Sequence, residues 1–164
     1  MLLRLWYILA TGLAKPRLGV LDESMLKLRV WPNDLDANVH MTNSRYLLAM
    51  DLGRWDFAMR SGMARQMWRR RWSPAVGSAT LSFRRGLDPF QGYSLGTRLV
   101  AWDEKWCWFD QRFAVAEALH AVGRVKVLFR GPNGKVPTAE VLAACGLSEA
   151  PAQNLPEAIH RHFE

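Results

Sequence analysis

Residues 32–47 read PNDLDANVHMTNSRYL, a polar loop that leads directly into an apolar helical pattern. The alternating residues Met25 to Trp31 predict a strand before this loop, and the Pro-Asn pair at its start ends the strand. Three consecutive polar residues can cap the helix that follows: Thr42, Asn43 and Ser44. The loop therefore places the carboxylate of Asp36 beside the unpaired amides of a helix N-terminus. That pairing suits attack on a carbonyl, with the acid as nucleophile or base and the amides as oxyanion donors.

The polar residues of this loop also have a recognisable spacing. The pattern D-x-D-x-x-x-H-x-x-N-x-x-Y resembles the signature of hotdog-fold acyl-CoA thioesterases of the 4-hydroxybenzoyl-CoA thioesterase type. Its residues here are Asp34, Asp36, His40, Asn43 and Tyr46. The resemblance is closest to the branch with a PNDxD loop followed by HMxN, and it extends from about residue 25 to 145.

This resemblance implies an α+β fold in which an antiparallel sheet wraps around one long central helix. It also implies a catalytic carboxylate at Asp36 and an oxyanion-binding amide near Asn43. His40 is expected to shape the site, with direct contact to substrate left open, and Tyr46 is expected to contact substrate.

The chain departs from many relatives at two positions of the loop. Val39 stands where they have Gly before the His, and Thr42 stands where they have a second Asn. The first departure affects the backbone path, because Gly permits dihedral angles that a β-branched residue resists.

The loop also admits two other readings. Its acidic residues start an EF-hand pattern, but position six is Val39 instead of Gly and position twelve is Arg45 instead of Glu. Plain capping and turn formation is the simpler alternative, because Asp-rich loops before helices commonly do only that.

The predicted helix runs from Ser44 to Arg60, with Gly62 as its stop. Its apolar residues spread around the helix, as expected for a helix that is covered on most sides. Asp51 is the exception, because it lies beside apolar residues at helical spacing and a charge there needs a partner. We favour an ion pair, for example with Arg54, and keep Asp51 as the alternative catalytic carboxylate.

A long strand is predicted from Ser73 to Arg85. In the resembled family this strand lines the acyl site, so Ser78 and Thr80 are candidate substrate contacts and Arg84 and Arg85 are candidate phosphate contacts. Arginines and tryptophans interleave just before it, and this cluster fits nucleic acid bases, the adenine and phosphates of coenzyme A, or a solvated helix end or dimer-rim loop. Its members are Arg65, Trp68, Arg69, Arg70, Arg71 and Trp72.

Composition and length indicate one globular domain. We expect an apolar N-terminal segment at 1–20, a thioesterase-like domain at 21–146 and a tail at 147–164. Residues 1–13 are too short to span a bilayer, and a helix docked on its own domain, a membrane contact and a signal peptide remain open for them. The net charge of +7 favours an anionic partner. The two cysteines have no metal spacing, and both are expected to be reduced and buried.

The leading functional hypothesis is hydrolysis of an acyl-CoA thioester by a cytoplasmic protein, with membrane association left open, and without a metal or another cofactor. The hotdog assignment also implies a homodimer or a dimer of dimers with sites shared between subunits. Three rivals remain: a non-catalytic acyl-binding or membrane-associated hotdog protein, a dehydratase that uses His40 with Asp36, and a nucleic-acid-binding domain, which is not favoured.

Overall fold

The computed structural model describes Ile8 and residues 15–147. Within these residues, six strands and three helices are connected mainly by short turns. The strands are β1 (Ser24–Arg29), β2 (Ser73–Phe83), β3 (Gly92–Trp102), β4 (Cys107–Val115), β5 (Ala118–Gly131) and β6 (Gly134–Val136). The helices are α1 (Asn43–Arg60), α2 (Met63–Arg70) and α3 (Thr138–Ala144), and a 3₁₀ turn covers Pro32–Asp34. Among the described residues, none of the helices has the combination of length and apolar sequence that a bilayer span requires.

All strand pairs are antiparallel, and the strands follow the order β1-β3-β4-β5-β2, with β6 paired to β5. The order places β1 and β2 at the two edges of the sheet. Because β2 pairs only with β5, its outer backbone groups remain without a strand partner in the described chain. The α+β class predicted from the sequence is confirmed.

Helix α1 packs directly on the sheet because two glycines allow a close approach. A Cβ atom on Gly53 of the helix would lie 2.6 Å from Oγ1 of Thr97 on β3. A Cβ atom on Gly123 of β5 would lie 2.4 Å from the methyl group of Met50. The helix therefore covers one face of the sheet, and its buried residues form the core with the strands.

A buried carboxylate fixes the chain that enters the sheet. Asp56 of α1 is fully buried and accepts a hydrogen bond from the hydroxyl of Ser24 on β1. It also pairs with Lys15 Nζ at 2.5 Å and with Arg60 Nη1 at 3.4 Å. This cluster ties the connector before β1 to α1. Apart from Ile8, which is buried, the N-terminal segment before Lys15 lies outside the described residues.

The predicted elements agree with the structure to within a few residues. The helix predicted from Ser44 to Arg60 and the strands predicted from Met25 to Trp31 and from Ser73 to Arg85 are present as α1, β1 and β2. In the turn between β3 and β4, Asp103 Oδ1 accepts the amides of Lys105 and Trp106. Helix α2 was not predicted, because its eight residues are rich in Arg and bury only Met63 and Met67. The tail beyond Leu147 lies outside the described residues.

Candidate active site at the start of α1

The loop before α1 is a tight reversal closed by its own backbone. Leu35 and Met41 form an isolated antiparallel bridge, and the Asp36 amide donates to the His40 carbonyl at 2.9 Å. The side chain of Asp36 adds to this turn, since its Oδ1 accepts the amides of Asn38 at 2.8 Å and His40 at 3.3 Å. No partner of Oδ2 is found among the described residues, and Asp36 is exposed. One carboxylate oxygen therefore holds the loop while the other faces solvent.

The two aspartates of the motif have different environments. Asp34 is 1% exposed, and its Oδ2 accepts the Trp31 amide at 2.9 Å. Its Oδ1 lies 3.6 Å from Arg45 Nε, and its carbonyl accepts the Thr42 amide at 2.9 Å. Asp34 thus ties the strand end to the helix start, whereas Asp36 is exposed.

Helix α1 begins without a side-chain cap. Its N-cap residue is Thr42, whose side chain makes no capping hydrogen bond, and its carbonyl accepts the Arg45 amide at 2.9 Å. The amides of Asn43 and Ser44 have no acceptor in the described part of the chain, and both residues are exposed. Because the Thr42 amide is bonded to Asp34, these two donors start within a short distance of the Asp36 turn. Unpaired amides at a helix N-terminus attract negative charge.

The loop forms one wall of the candidate site, and residues 86–88 form a second wall, which the sequence did not reveal. The Met41 amide donates to the Leu87 carbonyl at 3.0 Å, and Asp88 Oδ1 lies 3.5 Å from His40 Nε2. The His40 ring packs over Gly86, where an added Cβ would lie 2.8 Å from its Cδ2 atom. This wall sets the orientation of His40, and no local pattern in residues 86–88 signals it, because the contact joins residues 48 positions apart.

Tyr46 lies beneath the loop instead of in it. The side chain is 1% exposed and packs edge-to-face against Phe83 and Phe113, each at a centroid distance of 5.0 Å. Burial raises the pKa of its phenol, and the charge of Asp88 adds to this, while the nearby Leu87 amide acts in the opposite direction. The hydroxyl does not reach hydrogen-bonding geometry with any group in the described residues. Tyr46 therefore supports the wall from below, and direct contact with substrate remains a prediction.

Asp51 lies about 12 Å along α1 from Asn43, since the two are eight residues apart. Its carboxylate is exposed and pairs with Arg54, as the sequence favoured. Arg54 also donates to Gln111 Oε1 at 2.8 Å, and Gln111 Nε2 donates to the Met50 carbonyl at 2.9 Å. Burial lowers the pKa of the Arg54 guanidinium, and the charge of Asp51 opposes this.

The Asp51–Arg54 pair stands at the rim of a pocket of about 320 Å³ between α1, α2 and the sheet. Its other lining residues are apolar: Trp55, Phe57, Ala58, Met63, Met67, Pro74, Val76, Phe109, Val127 and Phe129. The structure therefore separates Asp51 from Asp36 and associates it with an apolar cavity.

The predicted contacts on β2 are divided by a register shift between Val76 and Ser78. Val76 pairs with Val127 and lines the pocket, whereas Ser78 pairs with Lys126 and Thr80 with Arg124. Side chains alternate along a strand, and the register shift exchanges the two faces, so Ser78 and Thr80 lie on the face opposite to Val76. They therefore point away from α1 and from the pocket. Within one chain, this geometry does not support their contact with the acyl group.

Arg84 and Arg85 follow β2 and lead into the second wall. Both are exposed, and their amides donate to the His120 carbonyl at 2.8 and 3.1 Å. The ring of His120 in turn bonds through Nδ1 to the Gly86 carbonyl at 2.9 Å. The structure thus brings together Asp36, His40 and the start of α1 with Asp88, and it places both arginines on the adjoining segment.

The model of the thioesterase-like superfamily matches residues 30–149, which include this loop, α1 and all strands except β1. The chain belongs to the thioesterase-like superfamily. Protein THEM6 from Danio rerio is 36% identical over 109 residues, covering 66% of this chain and 54% of that protein. The chain thus spans little more than half the length of such curated relatives.

Solved structures show the same hotdog-like thioesterase fold. The probable thioesterase YbaW from Escherichia coli has a TM-score of 0.70 at 16% identity, covering 76% of this chain and 96% of that one. Protein SAV2348 from Staphylococcus aureus, solved in complex with CoA, has a TM-score of 0.69 at 11% identity, covering 87% of this chain and 95% of that one. At these identities the likeness shows the fold of this superfamily member, and the chemistry has to be argued from its own residues.

Proposed function

We propose that this protein hydrolyses an acyl-CoA thioester, with Asp36 as the catalytic carboxylate. The observation that carries the proposal is that the two carboxylate oxygens of Asp36 have different surroundings. Oδ1 is bound by two loop amides, and Oδ2 faces solvent next to the uncapped start of α1. A carboxylate held at one oxygen keeps its position while the other oxygen reacts.

The chemistry needs few groups because the leaving group is a thiol, whose reference pKa near 8.5 makes it a good leaving group. In one route, Asp36 Oδ2 attacks the thioester carbonyl and forms a tetrahedral oxyanion. Collapse breaks the C–S bond, releases the thiolate and leaves an acyl anhydride that water hydrolyses. In the other route, Asp36 removes a proton from the water that attacks the carbonyl.

The amides of Asn43 and Ser44 are the proposed oxyanion donors in both routes. They lie at the positive end of an 18-residue helix, where a developing negative charge is stabilised. Loss of one such donor typically lowers the rate by about a hundredfold or more. His40, oriented by Asp88, is proposed to shape the wall that faces the thioester.

The rest of the substrate is proposed to extend in two directions from Asp36. The apolar pocket next to Trp55 and Met67 suits the acyl group. Arg84 and Arg85 are exposed on the segment that adjoins the loop and suit the phosphates of coenzyme A. The CoA complex of a structural neighbour is consistent with such a ligand.

A homodimer with shared sites is part of the proposal. Among the described residues, strand β2 has a free edge, and its exposed Val76 and Phe83 lie on the same side of the chain as the exposed Leu47 and Trp55 of α1. A second copy would bury these apolar side chains and pair the edge. Light scattering of the purified chain measures this directly, and a monomer at micromolar concentration would contradict it.

Thiol release from short, long and aromatic acyl-CoA thioesters tests the function. Asp36→Asn retains the Oδ1 acceptor that holds the turn and removes the carboxylate, so it should fold normally and lose roughly 10²- to 10⁴-fold in kcat/KM. Asp51→Asn is the matched control and should change kcat/KM by less than about tenfold, because Asp51 lies two turns from the oxyanion donors.

The opposite result, with Asp51→Asn inactive and Asp36→Asn active, would assign catalysis to the helix carboxylate. No thiol release by the wild-type protein from any member of the panel would refute the catalytic proposal. Retained binding of acyl-CoA in that case would indicate a non-catalytic acyl-binding protein.

A further inference from the structure

The outer face of α2 presents an isolated tryptophan to solvent. Trp68 is 85% exposed, more than any other large apolar side chain in the described residues. The same helix buries Met63 and Met67 against the core, so its inner face is already occupied. Covering this indole with an apolar partner would be favourable, because it removes apolar surface from water.

Arginines without acidic partners surround this tryptophan. Arg65, Arg69 and Arg71 are exposed, and no carboxylate lies within 4.0 Å of their guanidinium groups in the described part of the chain. Arg70 differs, because it pairs with Glu140 at 3.4 Å and stacks on Trp72 at 5.0 Å. Three cations around Trp68 therefore remain available to an anionic partner.

Arg71 also adopts a backbone conformation that is unusual for its side chain. Its φ is +55°, the left-handed region where helix ends commonly have Gly. A residue other than Gly, Asn or Asp costs free energy there. The helix thus ends with a strained arginine that extends the cationic surface by one residue.

The cationic surface continues onto the connector before β1. Exposed Arg17 lines the same surface depression as Arg65, and the neighbouring Leu18 amide donates to the Arg60 carbonyl at 3.1 Å. Arg69, Arg71 and Trp68 line the next depression. We call this surface the basic patch, and its members are Arg17, Arg65, Trp68, Arg69 and Arg71.

We propose that the basic patch docks on an anionic lipid surface. The pattern matches what such a surface binds, because an indole inserts at the boundary between headgroups and acyl chains while arginines pair with phosphates around it. The proposal is independent of the proposed hydrolysis, since it uses none of the residues at the start of α1.

Two other anionic partners fit the patch less well. Single-stranded nucleic acid is bound by several aromatic side chains that stack successive bases, whereas Trp72, the other tryptophan of this segment, is buried under Arg70. Within one chain, the phosphates of a substrate bound at Asp36 would lie near the start of α1, whereas the patch lies beyond the other end of this helix, which is about 27 Å long. A single exposed indole among arginines suits a planar anionic partner.

Sedimentation of the full chain with vesicles tests this proposal. We expect binding to phosphatidylcholine vesicles that contain phosphatidylserine and much weaker binding to phosphatidylcholine alone. Trp68→Ala should reduce the partition coefficient by about tenfold or more, and Trp68→Phe should retain most of it. Arg65→Ser/Arg69→Ser should reduce it by about fivefold per arginine. Lys27→Ser/Arg98→Ser removes the same charge from exposed strand positions and should have a smaller effect.

Thermal midpoints of all variants establish that they are folded. Equal losses in the two double variants would overturn the proposal, because binding would then follow net charge alone. The proposal would also be overturned if Trp68→Ala bound the vesicles as strongly as the wild-type protein, or if the wild-type protein did not bind them. A fluorescent single-stranded oligonucleotide is the competing probe: patch variants that lose the oligonucleotide but still bind vesicles would also overturn it.

Discussion

Gly53 is a position at which α1 packs closely on β3, and a single methyl group there should separate the helix from the strand. In Gly53→Ala, the new Cβ would lie 2.6 Å from Thr97 Oγ1 and 2.9 Å from both Gln111 Nε2 and Leu95 Cδ2. All three neighbours are buried, so the strain cannot be relieved by moving into solvent. Overpacking of this kind costs roughly 1–3 kcal/mol, and weakening a Gln111 hydrogen bond adds about 1 kcal/mol.

The better helix propensity of Ala offsets roughly 0.5–1 kcal/mol of that cost. The net expectation is a loss of about 2 kcal/mol in the free energy of unfolding. For a chain of this size, the thermal midpoint should fall by roughly 4–8 °C.

Differential scanning calorimetry with urea unfolding measures the change in the free energy of unfolding. Gly92→Ala is the matched control, because the nearest atom to its added Cβ is the Leu28 carbonyl oxygen at 4.0 Å. That variant should stay within about 0.5 kcal/mol of the wild-type protein. If Gly53→Ala is as stable as Gly92→Ala, the close approach of α1 to β3 is refuted.

Three further predictions follow from single side chains. Asp56→Asn should lower the free energy of unfolding by about 3 kcal/mol, because it leaves Lys15 and Arg60 without their buried carboxylate. Urea unfolding measures this loss, with the exposed Asp22→Asn as the control. Equal stability of the two variants would contradict the prediction. Val39 has a φ of +59°, so Val39→Gly should relieve strain and raise stability by about 1 kcal/mol in a thermal melt, whereas a lower midpoint would show that the loop is not strained. Burial raises the pKa of the Cys107 thiol to about 12 from 9.0, so the native state holds its proton between these values while the unfolded state loses it. The free energy of unfolding should therefore fall by about 1.4 kcal/mol per pH unit as the pH rises from about 9 toward 12. Urea unfolding at these pH values should show a smaller fall for Cys107→Ala, and an equal fall in the variant and the wild-type protein would contradict this.

The elements of the fold were largely predictable because their signals are local. Alternation marked the strands, and the apolar run between Thr42 and Gly62 marked α1. Helix α2 was missed because an eight-residue, arginine-rich helix shows little apolar periodicity, and its two buried methionines gain their meaning only from the core they contact. Strand β6 was missed because three residues are too short for a pattern, and its pairing with β5 defines it.

The site was predictable only in part. The sequence identified the loop and the helix start, and the ion pair of Asp51 with Arg54 is confirmed. It could not find Asp88, because nothing near Asp88 in sequence indicates contact with His40. It also could not give the orientation of Ser78 and Thr80, because a single register shift on β2 exchanges the faces of all following side chains.

By itself, the sequence determined the positions of the turns, the helix ends and the apolar segments, and which polar residues lie together before α1. Those properties depend on neighbours within one or two turns of the backbone. Only the tertiary structure decided that Asp34 is buried and Asp36 is exposed, that Asp88 faces His40, and that Asp51 borders an apolar pocket. The physical reason is that burial and pairing of these carboxylates depend on strand register and helix packing, which join residues far apart along the chain.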